Sequence, residues 1–200
     1  VNRILLLLLS SSATLLVFGL WIPVKAVVAQ ELLALAWAES QARQTETRPW
    51  PWADTWPVAR IALPDLDRSM IVLEGTHGES LAFGPGRVAG LAAGNGPVII
   101  AGHRDTHFRQ LKELEAGSEI RLQGQDGHWQ NYQVETSRVV DSRHEQIDTQ
   151  RLSRDLLLLV TCYPFDSLDA GGPLRYVVTA RRAHPASVNR LEQIDTVAGL

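Results

Sequence analysis

The sequence predicts an all-β domain, a barrel or sandwich of about eight short strands with very little helix, preceded by an N-terminal transmembrane helix. Three observations predict it. Strand-like runs alternate with Gly-, Pro- and Asn-containing turns, and the gaps leave no room for repeated βαβ crossovers. Residues 156–161 form a continuous apolar run, as a strand buried on both faces should. Residues 4–22 carry no charge at all.

The elements follow in order. As a helix, residues 4–22 would be about 28 Å long, close to the roughly 30 Å of a bilayer's hydrocarbon core. Trp21 suits the interfacial ring at the end of such a span. Arg3 precedes the stretch and Lys25 follows it, a bias too small to set topology. A cleaved signal peptide usually has a shorter apolar core, although Val27-Val28-Ala29 would pass as a cleavage site. The preferred reading is an uncleaved anchor over residues 1–24, with a cleaved signal or a buried soluble helix as alternatives. Residues 25–48 read as a helical stalk. Leu32, Leu33, Leu35, Ala36 and Trp37 give it an apolar stripe, equally suited to packing on the domain, and Pro23 stands where it would kink the junction.

The catalytic-type domain is expected over residues 49–181. It opens with Pro49, Pro51 and Pro57 around Trp50, Trp52 and Trp56, an extended segment that lies against the domain or the membrane surface. Strands are expected at 58–63, 69–73, 80–83, 98–101, 119–122, 128–140, 156–161 and 176–180, with short helical turns near 105–114 and 148–153. Gly84-Pro85-Gly86, Asn95-Gly96-Pro97 and Gly124-Gln125-Asp126-Gly127 punctuate them. Residues 182–200 read as a polar tail.

Composition narrows the function. Nineteen Lys and Arg nearly balance 22 Asp and Glu, for a net charge of -3, so nucleic acid is not an expected partner. One cysteine excludes an internal disulfide and a multi-cysteine zinc site. The six histidines form no HExxH pair, and no glycine fingerprint for a nucleotide is present. Neither a cofactor nor a metal site is expected.

Cys162 is therefore the residue to explain. It stands where a core strand meets a polar loop, which would fix a nucleophile and expose it. An idle exposed thiol would be a liability beyond a membrane, although a buried Cys162 as small filler is the plain alternative. His103 ends the 98–101 strand in the same way and suits proton transfer near neutral pH. His107 is its nearest competitor and reads as solvated. Arg175 opens the strand after the cysteine loop, so pairing of consecutive strands would bring it beside Cys162 as an oxyanion donor. Asp105, Asp166 and Asp169 read as solvated loop residues, and no triad carboxylate is assigned. A Cys-His-Arg set implies acyl transfer.

With these residues in place, the chain resembles a sortase, specifically the membrane-anchored class of Gram-negative proteobacteria. The resemblance covers about residues 50–181 and the anchor. Leu158-Leu159-Val160-Thr161-Cys162 stands at the family's Thr-Leu-X-Thr-Cys strand, with leucine in place of the first threonine, a change expected to affect packing more than chemistry. Ala101-Gly102-His103-Arg104-Asp105 matches the histidine segment, and Arg175, thirteen residues after Cys162, matches the arginine. Leu81-Ala82-Phe83-Gly84-Pro85-Gly86 and residues 50–57 also look like this class. The resemblance implies an eight-stranded β-barrel and a transpeptidase that cleaves an LPXTG-like C-terminal sorting signal between Thr and Gly. The acyl group would pass through a Cys162 thioester to an amine whose identity stays open. It implies a secreted partner protein and a periplasmic domain on the inner membrane. Some sortases use calcium, but no carboxylate cluster points to such a site.

Two rival readings stand. A peptidoglycan L,D-transpeptidase is also β-rich and cysteine-based, but its nearby Ser-His-Gly element is missing before Cys162. A non-catalytic membrane-tethered binding or assembly module draws its support from the tryptophan segment.

Overall fold

The computed structural model describes residues 2–90, 96–145, 148, 151–167 and 172–183. Eight strands close into a barrel. In chain order they are β1 (Pro57–Leu63), β2 (Arg68–Glu74), β3 (Gly86–Ala89), β4 (Val98–Ala101), β5 (Glu119–Gly124), β6 (Trp129–Asp141), β7 (Leu156–Cys162) and β8 (Leu174–Arg182). Around the barrel the order is β1-β2-β3-β4-β7-β8-β6-β5. The β2–β3 and β4–β7 pairs are parallel; the other neighbours are antiparallel. Every strand has a neighbour on both sides, although the β2–β3 ladder is only Leu73–Gly86 and Glu74–Arg87. The sandwich alternative is thereby removed.

Alternation along each strand explains the core. Ile61, Val72, Ile100, Ile120, Leu122, Val134, Leu157, Leu159 and Val178 point inward and are almost wholly buried. The continuous apolar run is buried on both faces, as expected. Leu157 and Leu159 face the interior, while Leu156 and Leu158 join Ile99, Val140 and Val177 in a second cluster on the outside. Leu158, the departure from the family's threonine, is one of these outer residues and is 5% exposed. Its substitution therefore does serve packing.

One strand is not where the sequence put it. Residues 80–83 are helical, within α2 (Gly78–Phe83), and the third strand is β3. Ser80 explains the difference: its hydroxyl is buried and donates to the His77 carbonyl at 2.8 Å, a local bond that favours the turn over a ladder. Gly86 then lets β3 approach β2, because a Cβ there would collide with the Gly75 carbonyl oxygen. The expected helical turn near 105–114 is a 3-10 turn, Arg109–Glu113. Among the described residues of 148–153, the Arg151 N–H donates to the Asp148 carbonyl at 3.1 Å, so a turn is present there.

The N-terminal helix α1 runs unbroken from Asn2 to Arg43, through Pro23. The apolar window within it is fully exposed, which excludes the reading of a buried soluble helix. Beyond it, residues 25–48 are not a stalk held away from the domain. Ala29, Leu33, Ala36 and Trp37 are buried against the barrel. Gln30 donates to the Phe83 carbonyl at 2.8 Å, and Gln44 to the Gln125 carbonyl at 2.9 Å. Leu33, Ala36 and Trp37 of the stripe read from the sequence thus form a packing face, whereas Leu35 is 65% exposed. At the other end β8 continues to Arg182, and the Ala183 N–H still donates to Asn131 at 2.8 Å. The rest of the expected tail, from 184 on, lies outside the described residues, as do Asn95 and Asp169.

Candidate active site

Three neighbouring strands, β4, β7 and β8, bring the predicted residues to one rim. In the antiparallel β7–β8 ladder Cys162 stands directly opposite Arg175. Directly opposed residues share a face, with Cβ atoms about 4.5–5.5 Å apart. Leu157 and Leu159 point inward, so Cys162 and Arg175 point outward, beyond Val160 at the end of the outer apolar cluster. The cysteine is half-buried. Strand order alone predicted this adjacency, and the register now gives it.

His103 reaches the same rim through β4. The parallel β4–β7 ladder pairs Ala101 with Val160. It continues past the strand as a bond from the Gly102 N–H to the Val160 carbonyl at 3.1 Å. Two residues beyond that register, His103 and Cys162 stand level. The buried Thr161 hydroxyl then donates to the Gly102 carbonyl at 2.7 Å. The residue before the cysteine is thus tied to the residue before the histidine. His103 itself is exposed, as a group exchanging protons with substrate needs to be.

Gly102 has no room for a side chain. A Cβ there would lie 2.8 Å from the buried Phe108 ring. Gly102→Ala is expected to lose about 1–3 kcal/mol to overpacking. Thermal unfolding should show a lower midpoint than the wild type, and an unchanged midpoint would mean that Phe108 can yield freely.

Arg175 is half-buried. One guanidinium nitrogen, Nη1, donates to the Gly172 carbonyl at 2.6 Å and the Leu174 carbonyl at 2.9 Å. Among the described residues nothing else engages the guanidinium, so its remaining donors are available to a developing oxyanion. An aromatic group, Tyr163, Phe165 and Tyr176, backs the loop after the cysteine, with Phe165 and Tyr176 centroids 5.1 Å apart.

Arg104 is the residue that the sequence reading passed over. It is 4% exposed. Its guanidinium donates to the Pro164 carbonyl at 2.8 Å and the Ser167 carbonyl at 2.6 Å. The loop after Cys162 is thereby tied to the residue after His103. Its position beside His103 was the available signal. A buried arginine reads in sequence like any exposed one, so the signal was not decisive.

His107 is not solvated as expected. Burial lowers the pKa of its imidazole, against a hydrogen bond to the Ala82 backbone, and the nearby His103 and Arg68 push the same way as burial. Burial therefore favours the neutral ring. It lines a cavity of about 550 Å³ between α1 and β2, beside Arg60 and Arg68. Asp105 and Asp166 are exposed. Among the described residues no three His, Cys, Asp or Glu side chains gather as a metal site.

A model of the sortase domain matches residues 61–183, more than half of the chain. The chain belongs to the sortase family. Sortase D of Bacillus subtilis (strain 168) is 32% identical over 124 residues, 61% of this chain and 62% of that protein. Among solved structures, sortase A from Corynebacterium diphtheriae is 27% identical with a TM-score of 0.54, covering 66% of this chain and 63% of that one. Sortase C-1 from Actinomyces oris is 25% identical with a TM-score of 0.53, covering 76% and 99%. The chain thus spans less than two thirds of the Bacillus and Corynebacterium relatives. These relatives are Gram-positive proteins and lend no support to the Gram-negative class read from the sequence. The sortase barrel, by contrast, is the fold expected.

Proposed function

We propose that this sortase is a cysteine transpeptidase acting on C-terminal sorting signals, with Cys162 as nucleophile, His103 as acid and base, and Arg175 as oxyanion donor. The observation that carries this reading is the register of Cys162 against Arg175, with His103 held level by the Thr161–Gly102 bond. The Cys162 thiolate attacks the threonine carbonyl of an LPXTG-like signal, forming a C–S bond. Arg175 donates to the resulting oxyanion. The C–N bond breaks as His103 gives a proton to the leaving amine, and a thioester remains. An incoming amine then attacks the thioester, His103 takes its proton, and the C–S bond breaks to restore the thiolate.

In this reading α1 is a single-pass anchor and the barrel works on the extracytoplasmic side, the periplasm in a Gram-negative host. The donor is a secreted protein carrying the signal. The amine acceptor is not specified by any residue described. The strand pairing favours this over an L,D-transpeptidase or an inert binding module, because neither requires an arginine opposite the cysteine.

The test is turnover of a fluorogenic LPXTG-like peptide by a soluble fragment. The fragment should begin near Lys25, since a start at Pro49 would strip Leu33 and Trp37 from the barrel. Intact-mass measurement should find an acyl adduct on Cys162. Arg175→Ala should slow turnover by about 10²–10³-fold, the cost of losing one oxyanion donor. Peptide cleavage with no adduct, or full activity without the arginine, would remove these assignments.

A further inference from the structure

The three tryptophans of the proline-rich segment have different surroundings. Trp50 packs edge-on against Phe83, with ring centroids 5.2 Å apart. Trp56 is half-buried, and its carbonyl accepts from the Glu74 N–H at 2.8 Å. Trp52 is 82% exposed, more than any other large hydrophobic side chain described. Its exposure is built in rather than loose. The Ala53 N–H donates to the Trp50 carbonyl at 3.0 Å, and Pro49 and Pro51 stiffen the turn around it.

A single exposed indole is ordinary. Its position is what matters. Lys25 is the one charge between residues 4 and 30 of α1. The exposed apolar surface runs on through Val24, Val27 and Val28, past the end of the charge-free span. Residues 4–28 as a helix measure about 37 Å, more than a hydrocarbon core of about 30 Å. The lipid boundary therefore falls in the last turns before Ala29, which is buried against the barrel. Gln30 bonds the Phe83 carbonyl, and Phe83 carries Trp50. Trp52 follows only two residues after Trp50, so the chain keeps it close to this level of α1, where the bilayer's interfacial layer would begin. An indole, apolar in body and polar at N–H, belongs in that layer.

We propose that Trp52 is a second membrane contact. It docks in the bilayer's interfacial layer beside α1 and so fixes the rotation and tilt of the barrel relative to the membrane. The inference rests on the reading of α1 as an anchor. A lone helix leaves the domain free to turn about its axis; a second contact off that axis does not.

The test uses the full chain in phosphatidylcholine–phosphatidylglycerol vesicles, with or without acyl chains brominated near the headgroup. Subtracting the emission of Trp52→Phe from that of the wild type isolates Trp52. The same subtraction with Trp21→Phe isolates the anchor. With Trp129→Phe it isolates an exposed tryptophan on the β5–β6 hairpin, beside the far end of α1. Bromolipid should quench the Trp52 component by half or more, as it does Trp21, and leave Trp129 unquenched. A Trp52 component no more quenched than Trp129, with Trp21 quenched, overturns the docking alone. If Trp21 is also unquenched, the anchor reading fails and the docking falls with it.

Discussion

Cys162→Ala is expected to abolish peptide turnover while leaving the barrel folded and able to bind the peptide. The expected loss is at least about 10⁴-fold, since removing the nucleophile of a well-studied hydrolase costs about 2 × 10⁶ in kcat. The structure separates chemistry from stability at this position. The side chain points to the outer face and is half-buried, so the change removes one sulfur from a rim and leaves no internal void. The β7 ladder is made by backbone groups and is unaffected. Thermal unfolding should therefore match the wild type closely, and fluorescence anisotropy should still register peptide binding. The Cys162→Ala protein turning over at wild-type rate would sink the covalent mechanism. A collapse in its melting temperature would instead return Cys162 to the role of structural filler.

How much of this was legible in the sequence differs from residue to residue. The continuous run at β7 declared its two buried faces, and consecutive strands at the chain's end foretold Cys162 beside Arg175. Those are period and order effects, which a sequence carries directly. The level placement of His103 was less legible, because β4 and β7 are parallel and separated by 54 residues of chain, from Ala101 to Leu156. Only the ladder and the Thr161–Gly102 bond supply the register. The 80–83 segment was misread because Leu81, Ala82 and Phe83 suit a strand as well as one helical turn, and the buried Ser80 hydroxyl decides between them. The stripe on α1 was visible, but what it packs against is a tertiary fact. His107 carries the same lesson for a polar residue: it reads as solvated in the sequence, and burial overturns that.

Arg104→Ala is the second large effect expected, and it acts through position rather than contact with substrate. Its guanidinium lies buried between the segment after His103 and the loop after Cys162, donating to the Pro164 and Ser167 carbonyls. A hydrogen bond to a charged group contributes about 1.5–3 kcal/mol. Its contact with the exposed Asp105, at 3.4 Å, adds little beside these. Alanine removes the charged donor from both carbonyls, leaving Pro164 only the 3.4 Å bond from the Ser167 N–H, and the loop from Tyr163 to Ser167 loses these two bonds to the histidine side. A misplacement of about 1 Å between reacting groups costs on the order of 10²-fold in rate. The expected result is a fall of that size in kcat/KM, faster hydrogen exchange in the Ser167 amide, and unhindered alkylation of Cys162 by a small reagent. Arg104→Lys should recover only part of the loss, because one ammonium lacks the planar fork that spans two carbonyls. A merely structural arginine would lower the melting temperature and leave the exchange of this loop and the rate on folded protein untouched. Full turnover by Arg104→Ala, with the loop still protected, would show that other contacts hold the nucleophile and histidine in register.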